Sequence, residues 1–216
     1  MVSKEIRNIT SMIKFTSKAR TLYSLKENLK SAKVVNLMII EVKKWKSDKT
    51  NCIKEINKTF KDQKLIVRSS CVDEDNNNFS NAGTYESVLD VNFKNLDESI
   101  EKVINSYKSQ NNKNEILIQN MLNNVICSGV AFSHDPNTCS PYRIYNYSIG
   151  KDTTRVTTGI GGLVWQQAAQ SNIKPPKAIQ EVGLLMEELL EKFANQPIDF
   201  EFAITKDDSN QKLLLT

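Results

Sequence analysis

The residues best suited to chemistry in this chain are an arginine and two hydroxyls placed at the end of a short apolar run. Leu65, Ile66 and Val67 read as a buried strand, and Arg68, Ser69 and Ser70 follow at its end. An acidic turn, Asp73-Glu74-Asp75, leads through an Asn-rich tip into the tight Asn81-Ala82-Gly83-Thr84. A guanidinium offers a fixed fork of donors, and a glycine lets backbone N–H groups come close, so the stretch suits a polyanion. On residue types alone it serves equally as an edge strand running into a surface loop. A second candidate lies near the other end, in Ile198-Asp199-Phe200-Glu201-Phe202-Ala203-Ile204. Period-two alternation puts Asp199 and Glu201 on one strand face and Ile198, Phe200 and Phe202 on the other. Two carboxylates on one face suit a hard divalent ion that bridges nucleotide phosphates. The same alternation also describes a solvent-facing strand edge.

The elements that must position these groups follow from hydrophobic spacing. Residues 12–33 open with a short loop and continue as an amphipathic helix, with Leu22, Leu25 and Leu29 on one side. Thr16 or Ser17 can cap it, which places Lys18 near a helix N-terminus, where an anion is favoured. Val34–Val42 reads as one continuous buried strand. Residues 44–60 read as a helix with Trp45, Ile53, Ile56 and Phe60 facing a core. Ser87–Val91 alternates like a strand, and Leu96–Tyr107 has helical spacing with Asp97 and Glu98 in its first turn. The polar run 108–114 is a loop and the best lobe boundary. Beyond it, Glu115–Leu122 is an apolar strand that carries Gln119 and then Met121. That is what a linker along an adenine pocket requires, and also what a core strand with one exposed Gln looks like. Residues 127–132 and 142–147 read as strands. Lys177–Phe193, after Pro175-Pro176, is the strongest helix, with a wide apolar stripe from Ile179 to Leu190.

VRSSCVDEDNNNFSNAG resembles the VRSSA-x-x-ED-x-x-x-x-S-x-AG signature of the ATP-binding domain of the phosphoenolpyruvate synthase and pyruvate phosphate dikinase family. Other segments agree in the same order. SKARTL at Lys18 is similar to the family's GGKGANL element, without its two glycines. Gln119-Asn120-Met121 is similar to its VQ-x-MV linker, and Ser128–Phe132 to its SGVAFT strand. DPNT at 135–138 resembles its D-P-x-T-G turn, with Cys139 in place of the glycine and His134 added before the turn. Gly150 with Val156–Gly159 resembles its G-x-x-x-x-V-T-S-G element, and IDFEFAI resembles its DIEFAID strand. The compact N-terminal segment resembles most closely the L-glutamine kinase branch, which starts capsule phosphoramidate synthesis.

This resemblance implies an α+β, two-lobed ATP-grasp fold of mixed or antiparallel sheets with packed helices, divided here into 1–112 and 113–216. It implies ATP and Mg²⁺ as cofactors. Arg68 and Lys18 would hold the phosphates as the catalytic pair, Gly83 would give the loop its close approach, and Ser87 stands where a threonine is usual. Gln119 and Met121 would serve the adenine end, and Glu201 with Asp199 would bind Mg²⁺. In the family the β-phosphoryl group passes to a histidine on a separate swivelling domain, with AMP and phosphate as products. The acceptor is one such as glutamine or pyruvate. The family's next strand closes on LLQ-x-RP. Here the chain reads KLLLT, with Thr216 at about the glutamine's position. The expectation is a C-terminally truncated module that binds ATP and depends on a downstream or separate phosphohistidine domain for turnover.

Composition excludes several alternatives. A net charge of +4 is spread among interleaved acids, without the concentrated basic face and aromatics of a nucleic-acid binder. No apolar run approaches the roughly 18–20 residues of a membrane span, and the N-terminus lacks an apolar signal segment, so a cytoplasmic protein is expected. Cys52, Cys71, Cys127 and Cys139 have no CxxC spacing and read as reduced thiols. A single histidine, His134, leaves no internal Ser-His-Asp triad or His-based metal site. Gly159-Ile160-Gly161-Gly162 lacks the spacing of a P-loop. Two rival readings stand beside the phosphotransferase module. One is a degenerate ATP-grasp fragment that only binds nucleotide, and the other is an unrelated α+β binding protein with no affinity for Mg-ATP.

Overall fold

The computed structural model describes residues 13–70, 86–108, 114–150, 162–207 and 210–216. The first helix, α1 (Lys18–Leu25), starts where Ser17 accepts a hydrogen bond from the Arg20 N–H. It is shorter than its apolar spacing predicts. Beyond Leu25 the chain turns to the surface, where the Lys30 and Ser31 amides donate to the Glu188 carboxylate at 2.9 and 2.8 Å. The apolar run 34–42, expected as one strand, is divided between β1 (Lys33–Val34) and β2 (Leu37–Glu41), which belong to different sheets. The helix expected over 44–60 is likewise two. In α2 (Val42–Ser47) and α3 (Lys49–Phe60) the break falls at Asp48, whose carboxylate accepts from the Asn51 N–H and caps the second helix. Then follow β3 (Leu65–Ser70), β4 (Ser87–Val91), α4 (Leu96–Ser106), β5 (Glu115–Asn120), β6 (Val125–Phe132) and β7 (Tyr142–Ile149). The strand β8 (Leu163–Ala168) has no counterpart in the sequence reading; its short apolar start, Leu163-Val164-Trp165, gives way to Gln166-Gln167 with no period-two alternation, and its residues are half-buried or exposed. After a 3-10 turn at Lys177–Ile179 come α5 (Gln180–Lys192), β9 (Asp199–Asp207) and β10 (Asn210–Leu215).

Two sheets result among the described residues. One runs β1-β10-β9-β6-β7-β8, mixed because β1 is parallel to β10 and the rest are antiparallel; the other runs β2-β5-β3-β4, antiparallel throughout. With helices packed on them, they give the α+β architecture of mixed and antiparallel sheets expected from the resemblance. The strand after the polar run, β5, is hydrogen-bonded between β2 and β3 in the four-stranded sheet. Apart from β1, the strands up to Asn120 belong to the four-stranded sheet and those from Val125 onward to the six-stranded one. Five of the six residues of β5 are buried, as suits a strand flanked on both sides.

Alternation assigns each strand's faces. In the four-stranded sheet, Leu65, Val67, Ile116 and Ile118 pack with Ile56 and Phe60 of α3 and Ile100 and Val103 of α4. The other face carries Ile66, Arg68, Leu117 and Gln119, aligned by the pairs Ile66–Gln119 and Arg68–Leu117. In the six-stranded sheet, Cys127, Ala131, Phe200, Phe202 and Ile204 join Val182, Leu185 and Leu189 of α5 and Leu22 and Leu25 of α1 in a second core. The opposite face there carries Ser128, Val130, Glu201 and Ala203, aligned by Ser128–Ala203 and Val130–Glu201. Leu37 and Leu117 belong to this second core, so the two sheets are joined by apolar packing.

Gly129 sets the spacing of β6 and β7. A Cβ there would lie 2.2 Å from the Asn146 carbonyl oxygen and 2.8 Å from the Tyr147 Cα, both backbone atoms that cannot swing aside. Gly129→Ala is expected to part the two strands and lower stability by roughly 1–3 kcal/mol or more, the cost of overpacking a close-packed interior. A urea or thermal melt checks this, and an unchanged midpoint would contradict the close approach.

Candidate functional site

Helix α1 is fastened to the four-stranded sheet by its own N-terminus. The Ser17 hydroxyl donates to Glu115 Oε2 at 2.6 Å, and the Ala19 N–H donates to Ser70 Oγ at 2.9 Å. Arg20 Nε donates to Glu115 Oε1, and the Tyr107 hydroxyl to the Glu115 carbonyl. Glu115 has a side chain only 3% exposed, so this buried carboxylate is held by a guanidinium and a hydroxyl at once. The network pins the first residue of α1, Lys18, beside the end of β3.

From there three charged side chains converge. Lys18 Nζ lies 3.4 Å from Glu201 Oε1, and Arg68 Nη2 donates to Glu201 Oε2 at 2.7 Å. Burial pushes the Glu201 carboxyl up, but Lys18 and Arg68 outweigh it and hold the group below the ordinary carboxylate value. The three residues come from α1, β3 and β9, 133 and 183 positions apart from Glu201 for Arg68 and Lys18. The first half of the chain thus supplies both cations and the second half the anion.

Arg68 and Glu201 line one cleft between the sheets. Ile66, Ser87, Leu89, Gln119, Met121, Leu122, Val125, Ser128, Ala203 and Thr216 share its lining. A charged pair stands among mostly apolar lining with a few polar groups, the mix that a nucleotide's phosphates and base require. Two buried polar atoms in this lining, Gln119 Nε2 and Ser128 Oγ, have no hydrogen-bond partner among the described residues. A buried donor left unpaired costs free energy, so a ligand that supplies an acceptor fits here.

The structure brings Arg68, Ser87, Gln119, Met121 and Glu201 into this lining, and Lys18 reaches it through Glu201. Asp199 is one step from Glu201 on the same strand face but exposed, outside the cleft lining. Gly83 lies outside the described residues. His134 stands just before the turn, with Nδ1 2.9 Å from Ser133 Oγ. The anchoring role of Glu115 and the unpaired hydroxyl of Ser128 have no local signature: an acid opening a strand looks like a solvated end, and an orphaned hydroxyl leaves no mark in a sequence.

The donor set also bears on a metal ion. Among the described residues no cluster of three His, Cys, Asp or Glu side chains could hold one. Mg²⁺ seldom needs such a cage, since it takes one or two carboxylates with substrate phosphates and water. Glu201, a hard oxygen donor beside two phosphate-seeking cations, fits that pattern.

The fold can be set beside known structures. D-Alanine-D-alanine ligase from Helicobacter pylori is similar at 14% identity over 90% of this chain and 51% of that one, with a TM-score of 0.48. N5-carboxyaminoimidazole synthetase from Staphylococcus aureus gives 15% identity, 92% and 41% coverage and a TM-score of 0.44. The ATP-grasp ligase PsnB gives 11%, 92%, 51% and 0.40 in the same order. The chain spans about half the length of these proteins. Among curated proteins no sequence match is found. The family model of the pyruvate phosphate dikinase AMP/ATP-binding domain, by contrast, matches residues 4–160, more than half of the 216, and the chain belongs to that family.

Proposed function

We propose that this chain is the nucleotide-binding module of a phosphotransferase, holding Mg-ATP in the cleft between its two sheets. The observation that carries the reading is the meeting of Lys18 and Arg68 on the Glu201 carboxylate in a largely apolar cleft. In the free protein the carboxylate satisfies two cations that are placed to take phosphate oxygens. On nucleotide binding Arg68 and Lys18 turn to the phosphates, and Glu201, with Asp199 near it on the strand, is free to hold Mg²⁺. Met121, Leu122, Ile66 and Leu89 flank the base, Gln119 donates to it, and Ser87 approaches the phosphates; the family resemblance gives Gly83 the same role. The metal would neutralise phosphate charge. The protein's share of a phosphoryl transfer is positioning and electrostatics, which these side chains supply.

The family resemblance extends the proposal. The β-phosphoryl group would pass to a histidine on a separate domain, with AMP leaving and water taking the terminal phosphate, for delivery to an acceptor such as glutamine or pyruvate. A module on the glutamine kinase branch would deliver it to glutamine.

Calorimetric titration with Mg-ATP, followed by AMP and phosphate assays with and without a histidine-domain protein, tests both levels. Saturable Mg-ATP binding and turnover only with the added domain are expected. Binding without turnover in either case would make this a nucleotide-binding module alone, and absence of binding would remove the reading altogether.

A further inference from the structure

Ser128 has no role in the reading above, yet its environment is that of a ligand contact. It lies on β6 directly opposite Ala203 on β9, one diagonal step from Glu201 on the same sheet face. The hydroxyl is buried, with the residue 6% exposed, and lines the cleft without a hydrogen-bond partner among the described residues. On the facing sheet Gln119 repeats this arrangement. It is 2% exposed, pairs with Ile66, and so stands one diagonal step from Arg68, with Nε2 also unpaired. Each sheet therefore presents one charged group and, about 7–8 Å away across neighbouring strands, one unsatisfied polar group. The apolar side chains Met121, Leu122 and Val125 lie in the same lining.

A hydroxyl is normally easy to satisfy, because it rotates and can both donate and accept. Two buried orphans lining one cleft are a standing cost to the free protein. We infer that Ser128 is a further ligand-binding residue of this cleft, its hydroxyl hydrogen-bonding the neutral nucleoside part of the bound nucleotide opposite Gln119. The inference rests on the Mg-ATP reading and adds an orientation to it. With phosphates at Arg68 and Glu201, the first neutral portion of the ligand falls at the level of Ser128 and Gln119.

Ser128→Ala separates this role from a structural one, because it removes a hydroxyl that the fold does not use. ATP affinity is expected to fall roughly 3- to 10-fold, the scale of one neutral hydrogen bond. Affinity for inorganic tripolyphosphate, which has no nucleoside, is expected to stay at the wild-type value. The thermal midpoint of the ligand-free variant is expected at or up to ~4 °C above wild type, since an unsatisfied buried group has been deleted. Unchanged ATP affinity overturns the inference, as does an equal loss for tripolyphosphate. A midpoint several degrees below wild type overturns it too, by giving the hydroxyl a structural role. If wild-type protein binds tripolyphosphate but gains nothing from the nucleoside, the inference fails while the phosphate site survives. If it binds neither ligand, the parent reading itself has failed.

Discussion

Arg68→Ala is expected to weaken Mg-ATP binding roughly 10- to 150-fold, which corresponds to about 1.5–3 kcal/mol for a hydrogen bond between charged groups. The side chain is only 19% exposed and already holds a carboxylate at 2.7 Å, so its charge acts in a partly desolvated place where it counts for more than at the surface. Nucleotide binding exchanges one anion for another at the same guanidinium, and the loss therefore measures the difference between phosphate and Glu201 as partners. Arg68→Lys is expected to recover only part of it, because an ammonium lacks the planar fork that takes two oxygens together. Lys44→Ala is the control: its partner is Glu55, both side chains are largely exposed, and the pair lies on the surface of the α2–α3 unit. Its ATP affinity is expected to match wild type. Calorimetric titration of the three variants makes the comparison, and an Arg68→Ala affinity within twofold of wild type would remove the arginine from the phosphate site.

The parts of this site that could be read from sequence are those with a local signature. Alternation in Asp199-Phe200-Glu201-Phe202 requires a buried phenylalanine face and a polar face, and β9 has both. The apolar run ending in Arg68 likewise gave a strand with an arginine at the cleft. What escaped notice depends on partners far along the chain. Val34–Val42 is mostly apolar, and its one early interruption, Asn36, does not say that Val34 joins β10 while Leu37 joins β5. Asp48 reads as a polar residue on a helix surface until its carboxylate is seen capping α3. Glu115 looks like a solvated strand end, yet Ser17 and Arg20, on a segment nearly a hundred positions earlier, make its burial tolerable. Local pattern therefore carried the individual strands and the charged residues of the cleft, while the fold class came from the family resemblance. Strand pairing, helix breaks and unsatisfied atoms are properties of the assembled chain.

Glu201→Gln should separate two functions of one carboxylate. In the free protein it neutralises Lys18 and Arg68, and in the proposed complex it binds Mg²⁺. The amide is nearly isosteric but uncharged, so both cations become available to phosphate without first giving up an anion. Metal-free ATP is then expected to bind at least as tightly as to wild type. The apparent affinity for Mg²⁺ in the presence of ATP is expected to fall at least about 10-fold, since even groups that only orient metal ligands cost that much when altered. The stability effect has a definite sign in pH. Burial raises the Glu201 carboxyl and the two cations lower it further, leaving it below its ordinary value of 4.5. A carboxylate depressed on folding stabilises the native state above its unfolded pKa, and that contribution disappears as pH falls through the folded value. Wild type is therefore expected to melt above Glu201→Gln at pH 7, with the gap constant down to about pH 4.5 and closing below it. The side chain is 31% exposed, so solvent screening keeps the gap small. Thermal melts across that range, paired with ATP titrations in EDTA and in Mg²⁺, read both roles in one variant. A gap that widens as pH falls below 4.5 would contradict the ion pairs, and an intact Mg²⁺ response would remove Glu201 from the metal.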